Sequence, residues 1–300
     1  MQRALPVLAA ILCAVSSAAS AQNPALQPPP SATEGVIERG LLWSVTGPDI
    51  PPSFVFGTIH LEDPRVTELP SLVREKLALC ALFVPEAIPD PGAFLEVGGE
   101  MFLKGERTLE SLVGPSLFEQ VAGMLEQQGL PAQMTQLLQP WAATMLLSTP
   151  RPQTGMFLDR LLYLEARRQG KTVHPLETLG EQVSLFADLP QSDQIRLLRL
   201  AVKQFDRLSG HVEELTQAYL QGDLGTLELL ARRHMGDDAE LAARIDRRIV
   251  SERNERMVSR LLPLLERGSA FIAVGALHLP GRKGMLNLLR NAGFAVHPAR

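Results

Sequence analysis

The chain reads as an α/β protein with a central mixed β-sheet built from its N- and C-terminal segments, flanked by helices, and a largely helical middle region. Three observations carry this reading. Short β-branched and aromatic runs sit near the start, at Gly40 to Val45 (GLLWSV) and Ser53 to Ile59 (SFVFGTI). A buried-type run, Ser269 to Val274 (SAFIAV), sits near the end. Between them, from about Leu109 to Gly236, apolar residues recur at helical spacing, as in Leu198, Ala201, Val202, Phe205 and Leu208.

Residues 1–21 carry an early Arg3, an apolar run from Ala4 to Val15 and small residues closing on Ala19-Ser20-Ala21. That is the three-part pattern of a cleaved signal peptide, so the expected mature chain starts at Gln22 in the periplasm or outside the cell. The apolar run is too short for a membrane span, and Leu12 before Cys13 does not suit lipoprotein processing. Residues 22–35 include NPALQPPPSAT, a Pro-rich leader expected to be disordered. A single domain is expected over 36–300.

Gly47, Pro48, Pro51 and Pro52 break the first two runs into a hairpin-like pair. A helix expected over Pro70 to Leu79 leads to a third strand, Cys80 to Pro85. This strand–helix–strand order favours an α/β sheet. Lys171 to Leu176 (KTVHPL) is the one convincing strand of the middle region. Asp237 to Arg267 reads as one long helix stopped by Gly268. A short helix over Lys283 to Asn291 and a strand over Phe294 to His297 finish the chain.

Composition excludes several classes. The net charge of −4, without a long basic run and with 5% aromatics, argues against binding nucleic acid. No later segment is apolar and long enough to span a membrane. Only Cys80 remains after the signal, so no intrachain disulfide forms. In its apolar run, Cys80 is a core residue rather than a catalytic thiol.

The informative feature is a repeated phrase. Gly57-Thr58-Ile59-His60-Leu61 and Gly275-Ala276-Leu277-His278-Leu279 each give Gly-x-x-His-Leu after an apolar strand. Glycine lets a chain turn sharply or approach another group closely, and the imidazole then projects from the mouth of the sheet. Each His alone is explained by capping a strand; the pair suits metal ligation. Glu86 follows its strand as His60 follows its own, and is expected beside His60 at the same edge. Two His and one carboxylate suit Zn, Mn, Fe or Co, the alternative for Glu86 being a solvated loop carboxylate. Arg253 lies on the apolar stripe between Ile249 and Met257. Its partner is Glu86 or a substrate carbonyl, unless it snorkels to water. Gly170-Lys171-Thr172 lacks the first Gly of a phosphate loop, since Glu165 stands there. His211-Val212-Glu213-Glu214 reads as a solvated helix face, and His174, His234 and His297 have no comparable setting.

Leu42-Trp43, Phe56 to Leu61 and Glu86 resemble the start of the TraB/GumN family, whose TIKI-like members lie in the erythromycin-esterase and ChaN-like superfamily. Asp159-x-x-Leu162-x-x-x-Ala166 and Gly170-Lys171-x-Val173-x-x-Leu176-Glu177-Thr178 resemble its central segment. Arg253-Asn254-x-x-Met257 and Val274 to Leu279 with Gly281, Gly284 and Gly293-Phe294 resemble its C-terminal part. Pro85 is a departure, standing where an aliphatic residue is usual. The resemblance implies a divalent-metal peptidase using Mn or Co, with Zn a weaker candidate. His60, Glu86 and His278 would be the metal ligands, and Arg253 and Asn254 the supporting polar residues. Glu86 is then either ligand or general base, and Arg253 or Asn254 stabilises the oxyanion. Asp159 and Glu177 fall outside the catalytic set. The partner is a peptide or protein substrate. Two alternatives stay open: a non-catalytic binding protein for a peptide, metal complex or glycan, and a metal-independent esterase.

Overall fold

The computed structural model describes residues 38–88, 92 and 97–300. The expected signal peptide and Pro-rich leader lie outside the described residues. One six-stranded sheet contains β1 (Leu42–Thr46), β2 (Ser53–Thr58), β3 (Leu82–Pro85), β4 (Thr172–Val173), β5 (Ala270–Gly275) and β6 (Ala295–Pro298). Its spatial order is β4-β3-β5-β2-β1-β6. β1 pairs antiparallel with β2 and β6, while β2 with β5, β5 with β3 and β3 with β4 pair parallel. The sheet is therefore mixed and draws its strands from both ends of the chain, as the sequence predicts.

β2 and β5 are buried at every position rather than at alternate ones. That is the pattern of parallel strands covered on both faces. The covering helices present apolar stripes at helical spacing: Leu158, Leu162 and Ala166 on helix Leu158–Arg168, and Met257, Leu261 and Leu265 on helix Glu252–Leu265. A second apolar cluster fills the helical middle region around Trp141, Leu198 and Ile245.

Two elements differ from the sequence reading. The expected strand over Lys171 to Leu176 is regular only at Thr172–Val173, because Pro175 has no N–H to give the ladder. The chain nevertheless keeps alongside β3, with His174, Leu176 and Glu177 N–H groups donating to carbonyls of Phe83, Pro85 and Glu86. The long helix is also not uniform. It runs as Ala239–Asp246, a π-helical turn over Arg247–Ser251, and Glu252–Leu265. Gly268 ends it at φ +65°, where a Cβ would lie 2.5 Å from the Pro51 carbonyl oxygen.

Gly57 explains why the first repeat needs glycine. It pairs with Val274 in register, and Thr58 with Gly275. A Cβ at Gly57 would lie 2.8 Å from Leu279 Cδ1 and 3.1 Å from Ala276 Cα, both within the second repeat. The two repeats are thus packed against each other at backbone distance. Gly57→Ala is expected to destabilise the fold by about 1–3 kcal/mol through overpacking. An unchanged urea midpoint would show that residues 276–279 move aside freely.

Candidate active site

Parallel strands bring their C-terminal ends to one edge, which is where open α/β sheets place ligands. His60 follows β2, Glu86 follows β3, Glu177 follows the segment continuing from β4, and His278 closes the turn Ala276–His278 after β5. The sequence placed Glu86 beside His60, but β5 lies between β2 and β3. Glu86 therefore sits against the β5 side of the edge. Its N–H donates to Ala273 O at 2.8 Å, and its Oε2 accepts from Gly275 N at 3.0 Å and lies 3.8 Å from His278 Nε2. The Gly of the second repeat thus holds Glu86 through its backbone.

Arg253 is fully buried and joins these groups. Its Nε donates to both oxygens of Glu177, and its Nη2 to Glu177 Oε2 and Glu86 Oε1. Its Nη1 donates to Ile249 O at 3.2 Å and His278 Nε2 at 3.0 Å. All five N–H groups are thereby spent within the protein. The Ile249 carbonyl belongs to the π-helical turn, a feature that recurs at functional sites. Burial opposes charge on Arg253, but Glu86 and Glu177 outweigh it and hold the guanidinium charged. Burial likewise opposes charge on Glu86, yet Arg253 and the two histidines hold its carboxyl far below the usual range.

The two imidazoles are held differently. His278 Nδ1 lies 2.6 Å from Asn254 Oδ1, and Asn254 Nδ2 donates to Lys283 O at 2.8 Å. An amide oxygen only accepts, so His278 carries its proton on Nδ1 and leaves Nε2 as an acceptor. Burial, with Arg253 beside it, pushes its pKa down to about 3. His60 Nδ1 lies 2.7 Å from Asp159 Oδ2, off the line of a good hydrogen bond, and His60 Nε2 is buried without a partner among the described residues. Burial disfavours a charged His60, but Asp159 and then Glu86 prevail and raise its pKa. Phe157 meets the His60 ring edge-on at 5.8 Å between centroids.

Arg253 and Asn254 do not stand ready as oxyanion donors. Both are 0% exposed, and the hydrogen bonds just described occupy Arg253 completely. Gln182 and Glu62 went unread in the sequence, and Asp159 has a closer role than its sequence pattern indicated. Asp159, which the sequence reading left outside the catalytic set, lies in the first turn of helix Leu158–Arg168, where it accepts from Thr58 Oγ1 at 2.6 Å and flanks His60. Gln182 Nε2 donates to Glu86 Oε1 at 3.0 Å. A signal for it exists: Thr178-x-x-Glu181 is a capping box that starts helix Leu179–Ala187 just after Glu177. Glu62 accepts from the N–H groups of Gln153, Thr154 and Gly155, tying down the loop that leads to Phe157.

Residues 41–298 match the TraB/PrgY/gumN family. The chain belongs to this family. Among curated relatives it is 25% identical to Metalloprotease TIKI2 of Danio rerio, over 86% of this chain and 60% of that protein. It is 24% identical to Metalloprotease TIKI1 of the same organism, over 86% of this chain and 63% of that protein. It is 22% identical to the Metalloprotease TIKI homolog of Amphimedon queenslandica, over 87% and 61% respectively. The chain thus spans about three fifths of the length of these relatives. No solved structure matches it.

The relatives' names imply a metal, which the residues meet in part. Among the described residues no three His, Cys, Asp or Glu side chains are arranged as a ligand set. The physical reason is Arg253, which already donates to His278 Nε2 and to Glu86. The donor chemistry does suit a borderline divalent ion. His60 keeps a buried, unpartnered Nε2, and both rings have Nδ1 against a side-chain oxygen, as metal-ligating histidines do.

The depressed pKa of His278 fixes a direction for stability in metal-free protein. Unfolded, the ring takes up a proton near its ordinary 6.5; folded, it stays neutral down to about 3. The unfolded state then binds the extra proton, so stability falls as pH drops through that window, by about 1.4 kcal/mol per unit. His60, with its raised pKa, adds stability that is lost only as pH rises above 6.5. Urea unfolding at pH 7, 6 and 5 is expected to show a shallower decline for His278→Gln than for the natural chain. Equal slopes would mean that the ring is not held neutral.

Proposed function

We propose that the chain is an exported, metal-dependent hydrolase that cleaves peptide bonds in a peptide or protein substrate. The observation supporting it most is that Glu86 Oε2 lies 3.8 Å from His278 Nε2 at the same C-terminal strand edge from which His60 emerges. The names of the TIKI relatives support the peptidase class. His60 Nε2, Glu86 and His278 Nε2 would hold the ion, the last two exchanging their hydrogen bonds from Arg253 for it. A bound divalent ion supplies Lewis-acid polarisation of a carbonyl and acidifies water.

The chain's own residues supply the rest. Asn254 fixes the His278 tautomer, and Asp159 orients His60. Gln182 and the Gly275 N–H hold the Glu86 carboxylate in place. Phe157 shields the His60 ring from water. Arg253, with its five donors engaged, positions Glu86 and Glu177 rather than touching substrate. A second reading has one observation in its favour: the guanidinium already serves as the site's cation. The His60–Asp159 pair, with Nε2 free, would then act as general base in ester hydrolysis without metal.

One experiment separates the two. Purified protein is dialysed against Mn, Co and Zn, assayed for bound metal, and screened against peptide and ester libraries with and without chelator. Near-stoichiometric metal lost in His60→Ala and His278→Ala, both folded by circular dichroism, with chelator-sensitive peptide cleavage, is the expected result. Folded natural chain that takes up no metal under any loading sinks the metallopeptidase reading. Export rests on residues 1–21, and among the described residues no helix is long and apolar enough to cross a membrane. N-terminal sequencing of the processed protein is expected to begin at Gln22. A retained Met1 would exclude cleavage there.

A further inference from the structure

The two repeated phrases differ at their second residue, which is Thr58 in the first and Ala276 in the second. Each of their imidazoles has its Nδ1 against a side-chain oxygen, but the two oxygens are anchored differently. At His278 the oxygen is Asn254 Oδ1, 2.6 Å away, and the same amide is held where its Nδ2 donates to Lys283 O at 2.8 Å. At His60 the oxygen is Asp159 Oδ2, 2.7 Å away. That carboxylate is held at its other oxygen, where Thr58 Oγ1 donates to Oδ1 at 2.6 Å. Thr58 is 0% exposed and ends β2, in register with Gly275 of β5. Its hydroxyl is thus a fixed point of the sheet, close to the ring that it reaches through Asp159.

Asp159 needs such a fixed point. It lies in the first turn of helix Leu158–Arg168, whose N-cap, Phe157, offers no side-chain acceptor. Unpaired N–H groups and the positive end of the helix dipole attract a carboxylate from within that turn. Asp159 therefore has two destinations, its own helix end and His60, and a carboxylate drawn to the first leaves His60 Nδ1 without an acceptor. The ring lies off the line of its contact with Oδ2, and turning the ring completes that bond only while the carboxylate stays in place. We propose that Thr58 is a positioning residue of the hydrolytic centre. Its hydroxyl locks Asp159 on His60, which keeps the ring's proton on Nδ1 and its Nε2 lone pair for an ion. The inference rests on the metal-dependent reading for ligation, and not for the tautomer. Ala276 needs no hydroxyl, because Asn254 is anchored through its own amide. The competing account of Thr58 is a β-branched residue that merely suits a strand end, and the two differ in what the hydroxyl does.

The test reads the imidazole nitrogens of His60 by NMR in the purified protein at alkaline pH, where the ring is neutral, with His278 as internal reference. The natural chain is expected to show His60 protonated on Nδ1 and bare on Nε2. A proton on Nε2 overturns the proposal without any variant. Thr58→Val keeps the branched shape and removes the hydroxyl. It is expected to populate the Nε2–H tautomer of His60 while His278 stays unchanged, and Thr58→Ser is expected to restore the natural spectrum. Affinities for Mn and Co, read by competition with a chromophoric chelator, are expected to fall by about 10–100-fold in Thr58→Val and to recover in Thr58→Ser. A Thr58→Val chain that melts lower yet keeps the natural tautomer shows a purely structural threonine and overturns the proposal. Should Thr58→Val not fold, Thr58→Ala removes the same hydroxyl with less bulk and is read the same way. Natural chain that takes up no metal removes the metallopeptidase reading, while the tautomers still decide the role of Thr58. Metal-dependent peptide cleavage that is indifferent to Thr58→Val keeps the hydrolase and overturns the positioning role.

Discussion

Arg253 is the charge on which the edge of the sheet is organised. A guanidinium cannot shed its proton at any pH the protein meets, so a fully buried one obliges the fold to surround it with acceptors. Here the acceptors come from four separate stretches of chain: Glu86 after β3, Glu177 beyond β4, His278 after β5, and Ile249 one turn back on its own helix. No two of the first three are close in sequence. The arginine can be satisfied only when the strands have paired in one order and the long helix lies across their ends. A buried ion pair of this kind adds little net stability over an apolar replacement, because desolvation offsets the attraction. Its consequence is positional: Glu86 and His278 are held where they meet.

The helical middle region acts on that edge from the other side. It brings Gln182 to Glu86 and Asp159 to His60, and its Tyr219 hydroxyl donates to the Gly57 carbonyl at 2.9 Å. It also builds the second apolar cluster, several of whose residues wall a cavity next to His60. The site thus lies at the junction of two cores. The sheet fixes where the imidazoles emerge, and the helices determine what approaches them. Residues such as Glu62, which ties loop N–H groups near Phe157, couple the two.

Much of the site was legible because its parts repeat a local pattern. An apolar strand followed by Gly-x-x-His occurs twice, and period and composition alone mark both as strand ends. The carboxylate after Cys80 to Pro85 could be picked by analogy of position. Its neighbour could not, because β2, β3 and β5 share one buried, apolar character and nothing in their side chains records which lies in the middle. The arginine's burial was open in the sequence for a related reason. An apolar stripe places a side chain on a face but does not supply its partner, and Glu177 lies 76 residues away. The π-helical turn had no periodic signature at all, since one displaced hydrogen bond leaves an apolar stripe almost intact.

The sequence by itself determined the fold class, the two ends of the chain as sheet-forming, and the strand ends after which His60, Glu86 and His278 stand. Local propensity and hydrophobic period suffice for that, because each is decided within a few residues. Tertiary structure alone decided that β5 enters between β2 and β3 and that Arg253 takes the acceptors a metal would share. It alone also left the buried Nε2 of His60 without a partner among the described residues. Strand order and hydrogen-bond partnership are set by competition among groups distant in sequence, and that competition is resolved only when the whole chain has packed.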